Sequence, residues 1–202
     1  MAYRLNDLDG CRTDAEGKSS IKERTIRECR CQPIMKVHLE SFGCTEVSVG
    51  DYGIDNYGEY IENDRLVTRK PDWKISLRNK NGVQKCEIVE VMVHSATSNL
   101  VSCKINKIKY LIDHENSLYI VQENGYYAIG RDGLIYLRDK GPRERGWGGH
   151  VLVRYNERER FHQLSEEKII RFVRWSPSAY KLMQRLDDED YIFEKKWGVF
   201  KY

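Results

Sequence analysis

The clearest pattern in the chain lies in residues 71–93, PDWKISLRNKNGVQKCEIVEVMV. It predicts two strands joined by a tight turn at Asn81-Gly82, because Asn-Gly between two strand-like runs is the strongest short-range indicator of a β-hairpin. The hairpin places one carboxylate on each of two neighbouring strands, Asp72 on the first and Glu90 on the second.

The second strand alternates, so Ile88, Glu90 and Met92 share one of its faces. Glu90 is therefore a charge among apolar neighbours, which is costly unless the charge is paired or holds a cation. Asp72 on the adjacent strand supplies a second acid rather than a counter-charge. The two carboxylates together predict a site for Mg²⁺ or Mn²⁺.

The composition indicates one globular domain of mixed α/β (α+β) class. We expect residues 1–18 to form a loosely ordered arm and residues 19–202 to form a single domain. The chain has 34 Lys and Arg against 31 Asp and Glu, and the net charge of +3 is too small to indicate a nucleic-acid partner by itself. Its six cysteines form no CxxC pair, so we expect reduced thiols in an intracellular setting. With no apolar leader and no run of 18 apolar residues, we expect neither a cleaved signal nor contact with a membrane.

Periodicity and turn residues predict a central mixed, twisted sheet flanked by helices. Helices are predicted over residues 20–31, 34–42, 100–112, 165–175 and 178–186, with breaks at Pro33 and Pro177. Strands are predicted over residues 46–49, 73–77, 86–93, 117–122 and 151–155, with a further hairpin over 126–138.

The order strand-Asp, strand-Glu, helix resembles the PD-(D/E)XK nuclease superfamily, whose usual lysine follows the Glu by two residues. Met92 stands at that position. A methionine cannot stabilise an attacking hydroxide or a leaving oxygen, so the site is either inactive or takes its lysine from elsewhere. On the predicted helix 100–112, Lys104 lies at the edge of the apolar stripe, and we prefer it to Lys107 and Lys109.

Five pieces in order are similar to one branch of that superfamily, the cap-snatching endonucleases of segmented negative-strand RNA viruses. The likeness is greatest to the amino-terminal domain of the influenza-type acidic polymerase subunit, although bunyavirus-type polymerases have a similar arrangement. The pieces are His38-Leu39-Glu40, the loop 59–65 with Glu62, Pro71-Asp72, Glu90-Val91-Met92-Val93 and the lysine-rich segment 104–109.

The resemblance implies a two-metal-ion endonuclease that cleaves single-stranded, capped RNA as part of a viral polymerase in the host cell, in the nucleus or the cytoplasm. It implies two Mn²⁺ or Mg²⁺ ions, with Lys104 as the catalytic lysine beside Asp72 and Glu90. The first ion would be held by His38, Asp72, Glu90 and the backbone carbonyl of Val91, and the second by Glu62 and Asp72. Its implied partners are RNA and the other polymerase subunits or domains.

Ordinary structural explanations stay open for several of these residues. His38 lies among apolar neighbours, so it is also explained as a core histidine. Glu62 has Glu46 and Asp55 as rivals in the same acidic stretch. Lys104 is also explained as a solvated helix charge.

A basic, glycine-rich stretch and two other functions complete the sequence-based expectations. Arg143, Arg145 and Trp147 mix bases with an aromatic ring, as single-strand RNA binders do, and Tyr126 and Tyr127 are further candidates for stacking. The alternatives to the RNA endonuclease are a DNA nuclease of the same superfamily and a degenerate nuclease fold with a structural or RNA-binding role.

Overall fold

The computed structural model describes residues 15–53, 70–93, 100–140, 143–145, 151–156, 166, 169–190 and 192. Side chains are described for residues 26–53, 70–93, 103, 105–140, 166, 169–187 and 192.

The described residues form a mixed α/β fold, as predicted. The helices are α1 (Ala15–Ser41), α2 (Ile105–Asp113), α3 (Arg131–Lys140) and α4 (Pro177–Asp190). The strands are β1 (Thr45–Asp51), β2 (Trp73–Arg78), β3 (Gln84–Val93), β4 (Leu100–Lys104), β5 (Ser117–Gln122), β6 (Gly125–Ile129), β7 (Arg143–Arg145), β8 (Val151–Asn156) and β9 (Arg171–Arg174).

A six-stranded mixed sheet has the order β1-β2-β3-β5-β6-β9, and a three-stranded sheet has the order β4-β8-β7. Strands β1, β2 and β3 are antiparallel neighbours. Strand β5 then runs parallel to β3, which requires a crossover, and α2 lies in that connection. Strands β6 and β9 complete the sheet as antiparallel neighbours.

The six-stranded sheet has two apolar faces because side chains alternate along each strand. The face that we call the α1 face is covered by α1 and α4, and it presents Trp73, Val89, Val91, Tyr119 and Tyr126. The opposite face, the α2 face, is covered by α2 and α3, and it presents Met92, Leu118, Ile120, Tyr127 and Ile129. A residue on β3 therefore faces α1 or α2 according to its place in the alternation.

The β2–β3 hairpin follows the prediction from Asn81-Gly82. Gly82 has φ +79°, a conformation that favours glycine. The Asn79 side-chain oxygen accepts hydrogen bonds from the N–H groups of Asn81 and Val83, at 3.0 and 2.9 Å. These bonds satisfy the polar groups of the turn and set the register of the two strands.

Helix α1 is one continuous helix, and the predicted break at Pro33 is wrong. A proline inside a helix removes one backbone hydrogen bond and costs about 3 kcal/mol or more. Cys31, Ile34 and Met35, on both sides of Pro33, are fully buried against the sheet. We attribute the continuity of the helix to this packing, which outweighs the local penalty.

The predicted helix 100–112 is a strand followed by a helix. Residues Leu100–Lys104 pair with β8, and α2 begins only at Ile105. The predicted apolar stripe holds from that point, since Ile105, Ile108 and Ile112 are buried. The predicted helix therefore begins five residues too early, because residues 100–104 pair with β8 and form a strand.

Two further predictions are wrong in the carboxyl-terminal half. The segment 126–138 was expected to be a hairpin, but β6 ends at Ile129 and residues 131–140 form α3. Helix α3 has Asp132 in its first turn and Arg138 and Lys140 in its last, an arrangement that favours a helix through the helix dipole. The segment 165–175 was expected to be helical, but residues 171–174 form β9 along β6.

The described cysteines, Cys29, Cys31, Cys44, Cys86 and Cys103, are free thiols. In the part of the chain that the structure describes, none of the helices is long and apolar enough to cross a membrane.

Candidate active site

Asp72 and Glu90 lie side by side on the α2 face. Trp73 pairs with Val89, and the same antiparallel register continued by one residue sets Asp72 opposite Glu90. Trp73 and Val89 point to the α1 face, so their neighbours point to the other one. Side chains directly opposite each other on antiparallel strands have Cβ atoms about 5 Å apart. The predicted pair of carboxylates is therefore present.

Lys107 from α2 contacts this pair. Its Nζ atom is 2.7 Å from Oε2 of Glu90, and the side chains of Lys107 and Glu90 are 25% and 16% exposed. The Oε2 atom is itself inaccessible, and no hydrogen bond of normal geometry reaches it. We interpret the contact as an ion pair, in which the ammonium offsets part of the cost of burying Glu90.

The ionisation of Glu90 depends on its two charged neighbours. Burial raises the pKa of Glu90, the negative charge of Asp72 raises it further, and Lys107 opposes both effects. Burial alone would lower the pKa of Lys107, but the charges of Glu90 and Asp72 outweigh that effect and raise it. Burial and the neighbouring carboxylate thus favour a protonated Glu90, which can give up its proton when a cation binds beside it.

Val91 contributes backbone atoms at the same place. Its N–H donates a hydrogen bond of 2.8 Å to Oδ2 of Asp72, the residue that immediately precedes β2. The N–H and C=O of one strand residue point to the same side, so the Val91 carbonyl also faces Asp72. Two carboxylates and a carbonyl are oxygen donors, which suit Mg²⁺ or Mn²⁺. These residues therefore fit the expected metal.

His38 does not join this group. Its Nδ1 atom accepts a hydrogen bond of 3.0 Å from the backbone N–H of Ser176, and its ring packs edge-on against Tyr126 and Trp175. Tyr126 and Trp175 belong to the core on the α1 face, whereas Glu90 lies on the α2 face. The sheet stands between the histidine and the carboxylates. In this arrangement His38 cannot share a metal ion with them.

The surroundings of His38 give it a structural role. The side chain is buried, with 2% exposure, and burial, assisted by the positive charge of Arg171, lowers its pKa from 6.5 to about 4. The neutral ring accepts from the residue that caps α4, since the Ser176 hydroxyl also accepts from the Ala179 N–H at 3.3 Å. His38 thus connects α1 to the start of α4, in agreement with the interpretation as a core histidine.

Of the three candidate acids for a second metal ion, Glu46, Asp55 and Glu62, the structure describes only Glu46. Glu46 lies near the start of β1 and pairs with Arg78 at 3.0 Å, at the opposite end of β2 from Asp72. Glu62 and Asp55 lie outside the described residues. A Cβ on Gly53 would be 2.4 Å from the Lys70 Cβ, so the residues on either side of segment 54–69 touch each other next to Asp72.

For the predicted basic residues Lys104, Arg143 and Arg145, the structure describes the backbone but not the side chains. Lys104 is the last residue of β4 rather than part of a helix, and its side chain lies outside the described atoms. Arg143 and Arg145 lie in β7, again without described side chains, and Trp147 is outside the described residues. Tyr126 and Tyr127 are buried in the two cores, so stacking of RNA bases on their rings is contradicted.

In the predicted helix from residue 100, Lys107 lies further from the apolar stripe than Lys104 does. With α2 beginning at Ile105, Lys107 lies in the first turn, and this turn brings its ammonium to Glu90. The change from β-branched and small residues in 101–103 to a helical stripe from 105 onward was the available indication. Among the described residues, no group of three or more His, Cys, Asp or Glu side chains is placed to bind a metal.

Comparisons of this chain with models of protein families, with curated proteins and with solved structures find no match.

Proposed function

We propose that this chain is a divalent-cation-dependent endonuclease, with Asp72 and Glu90 as metal ligands and Lys107 as the lysine of the site. The observation that carries the proposal is the contact of the Lys107 ammonium with one of two adjacent, partly buried carboxylates. A cation bound between the two carboxylates would offset the repulsion that raises the pKa of Glu90. The order strand-Asp, strand-Glu, helix supports assignment to a PD-(D/E)XK-like architecture.

Each group has a separate task in the proposed site. A bound Mg²⁺ or Mn²⁺ would supply Lewis acidity toward a phosphodiester and a more acidic water. Asp72, Glu90 and the Val91 carbonyl would hold the ion, and Glu90 must lose its proton to do so. Lys107 would stabilise negative charge on the phosphate oxygens, which is the task that Met92 cannot perform.

Single-stranded RNA is the substrate that we propose, with cap-snatching in a viral polymerase as the finer proposal. The resemblance supports this choice through the order of its five sequence pieces. The position of His38 does not, because the branch it resembles uses that histidine as a ligand. A second ion would require a further acid, and Glu62 in segment 54–69 remains our candidate.

The test is cleavage of labelled substrates by the purified protein. We expect unstructured RNA to be cut with Mn²⁺, and to stay intact when a chelator removes the metal. Asp72→Asn should reduce cleavage at least about 100-fold, a loss typical of removing a group that stabilises the transition state. Asp113→Asn is the matched control, since Asp113 is an exposed acid at the end of α2.

The outcomes separate the competing functions. Cleavage without metal, or undiminished cleavage by Asp72→Asn, would overturn the proposal. Preferential cutting of duplex DNA would establish the DNA nuclease instead. A protein that binds RNA without cutting it would indicate the degenerate fold.

A further inference from the structure

An exposed aromatic side chain lies in the same cross-strand row as the two carboxylates. Asp51 pairs with Trp73, and the next residue, Tyr52, donates its backbone N–H to the Asp72 carbonyl at 2.8 Å. The antiparallel register therefore continues by one residue and sets Tyr52 opposite Asp72. The row across the sheet edge runs Tyr52, Asp72, Glu90.

The alternation of β1 supports this placement. Asp51 accepts a hydrogen bond from the Gln32 side chain, which belongs to α1, so Asp51 faces the α1 side of the sheet. Tyr52, the following residue, falls on the opposite side, where Asp72 and Glu90 lie. Strands are about 4.8 Å apart, so the backbone of Tyr52 is about 10 Å from that of Glu90.

Tyr52 is also one of the few large apolar side chains on the described surface, with 42% exposure. The Lys70 ammonium lies 5.6 Å from the centre of its ring, and Lys70 is exposed as well. An aromatic face beside a cation is a combination that binds single-stranded nucleic acid, with the ring stacking on a base and the cation near a phosphate. A site for a metal ion alone would need neither group.

We propose that Tyr52 and Lys70 form a nucleotide-binding subsite, in which a base next to the scissile phosphate stacks on the Tyr52 ring while Lys70 contacts the backbone. The subsite rests on the proposed nuclease function and deepens it. It requires an unpaired base, because a base inside a duplex offers no free face to the ring. The subsite thereby gives the site its preference for single strands.

The experiment measures binding separately from cleavage. Fluorescence anisotropy of a short labelled single-stranded RNA, with Ca²⁺ in place of Mn²⁺, gives Kd for the wild type and for each variant. Loss of one stacking contact should raise Kd about 10-fold in Tyr52→Leu, while Tyr52→Phe keeps the wild-type value. Lys70→Gln should weaken binding. It should also reduce the slope of log K against log salt concentration by about one, which corresponds to the loss of one phosphate contact.

Phe42→Leu is the matched control, because Phe42 is another exposed aromatic, 62% exposed, placed at the end of α1. It should bind as the wild type does. The inference is overturned if Tyr52→Leu binds within about twofold of the wild type, if Tyr52→Phe loses as much affinity as Tyr52→Leu, or if the wild type binds duplex as tightly as single strands. Absence of cleavage together with the expected changes in Kd would refute the nuclease and leave the subsite standing.

Discussion

Replacing Lys107 by methionine should destabilise the protein in a manner that depends on pH. The substitution keeps most of the apolar stem but removes the ammonium 2.7 Å from Glu90. Removing one partner of a fully buried ion pair costs about 3–5 kcal/mol. Because these side chains are 25% and 16% exposed, we discount that range for solvent screening and expect about 2 kcal/mol at high pH.

The pH dependence follows from the raised pKa of Glu90. A carboxyl whose pKa is higher in the folded state than in the unfolded state stabilises the fold below its ordinary pKa. That contribution is lost as the pH rises through the folded value. At about pH 5 the folded protein holds the Glu90 proton, so the ammonium has less charge to offset and its loss costs little. At about pH 8.5 the wild type has the ionised Glu90–Lys107 pair, whereas the variant must keep Glu90 protonated or bury its charge without a counter-ion, so the cost is largest.

The assay is urea denaturation of wild type and Lys107→Met at both pH values, with Lys109→Met as the control. Lys109 is an exposed lysine on the same helix, so its variant should change little at either pH. A destabilisation of Lys107→Met that is equal at the two pH values would refute the reasoning, because it would show that Lys107 acts through packing alone. A destabilisation that is larger at about pH 5 would refute it as well.

Three other predictions concern the packing of the fold away from the site. The pKa of His38 is lowered from 6.5 to about 4, so on acidification the histidine of the unfolded chain is protonated before that of the folded protein. The free energy of unfolding should therefore fall by up to about 3 kcal/mol between about pH 6.5 and about pH 4. Urea denaturation across that range should show a smaller fall in His38→Asn, and an unchanged fall would count against the buried neutral ring. Ser176→Ala should lower the free energy of unfolding by about 1 kcal/mol through loss of the α4 cap, and a change near zero in urea denaturation would contradict that capping role. Gly125→Ala should lower Tm, because its Cβ would lie 2.2 Å from the Val173 carbonyl oxygen, and a Tm equal to that of the wild type would show that β6 and β9 are not so close.

The hairpin that carries Asp72 and Glu90 was predictable because its determinants are local. The Asn79–Gly82 turn sets the register, and alternation then places Asp72 and Glu90 on one face without knowledge of the rest of the fold. Helix α1 was predicted in two pieces because the cost of Pro33 is local, whereas the burial of Ile34 and Met35 that offsets it depends on the sheet.

The position of His38 was not predictable from its neighbours. The sequence shows that the helix has an apolar side, but it carries no indication of which face of the sheet that side covers. The contact of Lys107 with Glu90 was not predictable either, because it depends on where α2 begins. That boundary is set by the pairing of residues 100–104 with β8, a strand about 50 residues away. The positions of these residues are therefore predicted correctly where strand pairing is local and incorrectly where helices dock across distant strands.

Metal-induced stabilisation tests the central claim most directly. A ligand at about 100 times its Kd stabilises the native state by about 2.7 kcal/mol, which corresponds to a rise in Tm of roughly 5–10 °C for a domain of this size. Thermal unfolding with and without Mn²⁺ should show such a rise for the wild type and for His38→Asn, and none for Asp72→Asn. An unchanged Tm in the wild type, or an equal rise in Asp72→Asn, would contradict metal binding by Asp72 and Glu90.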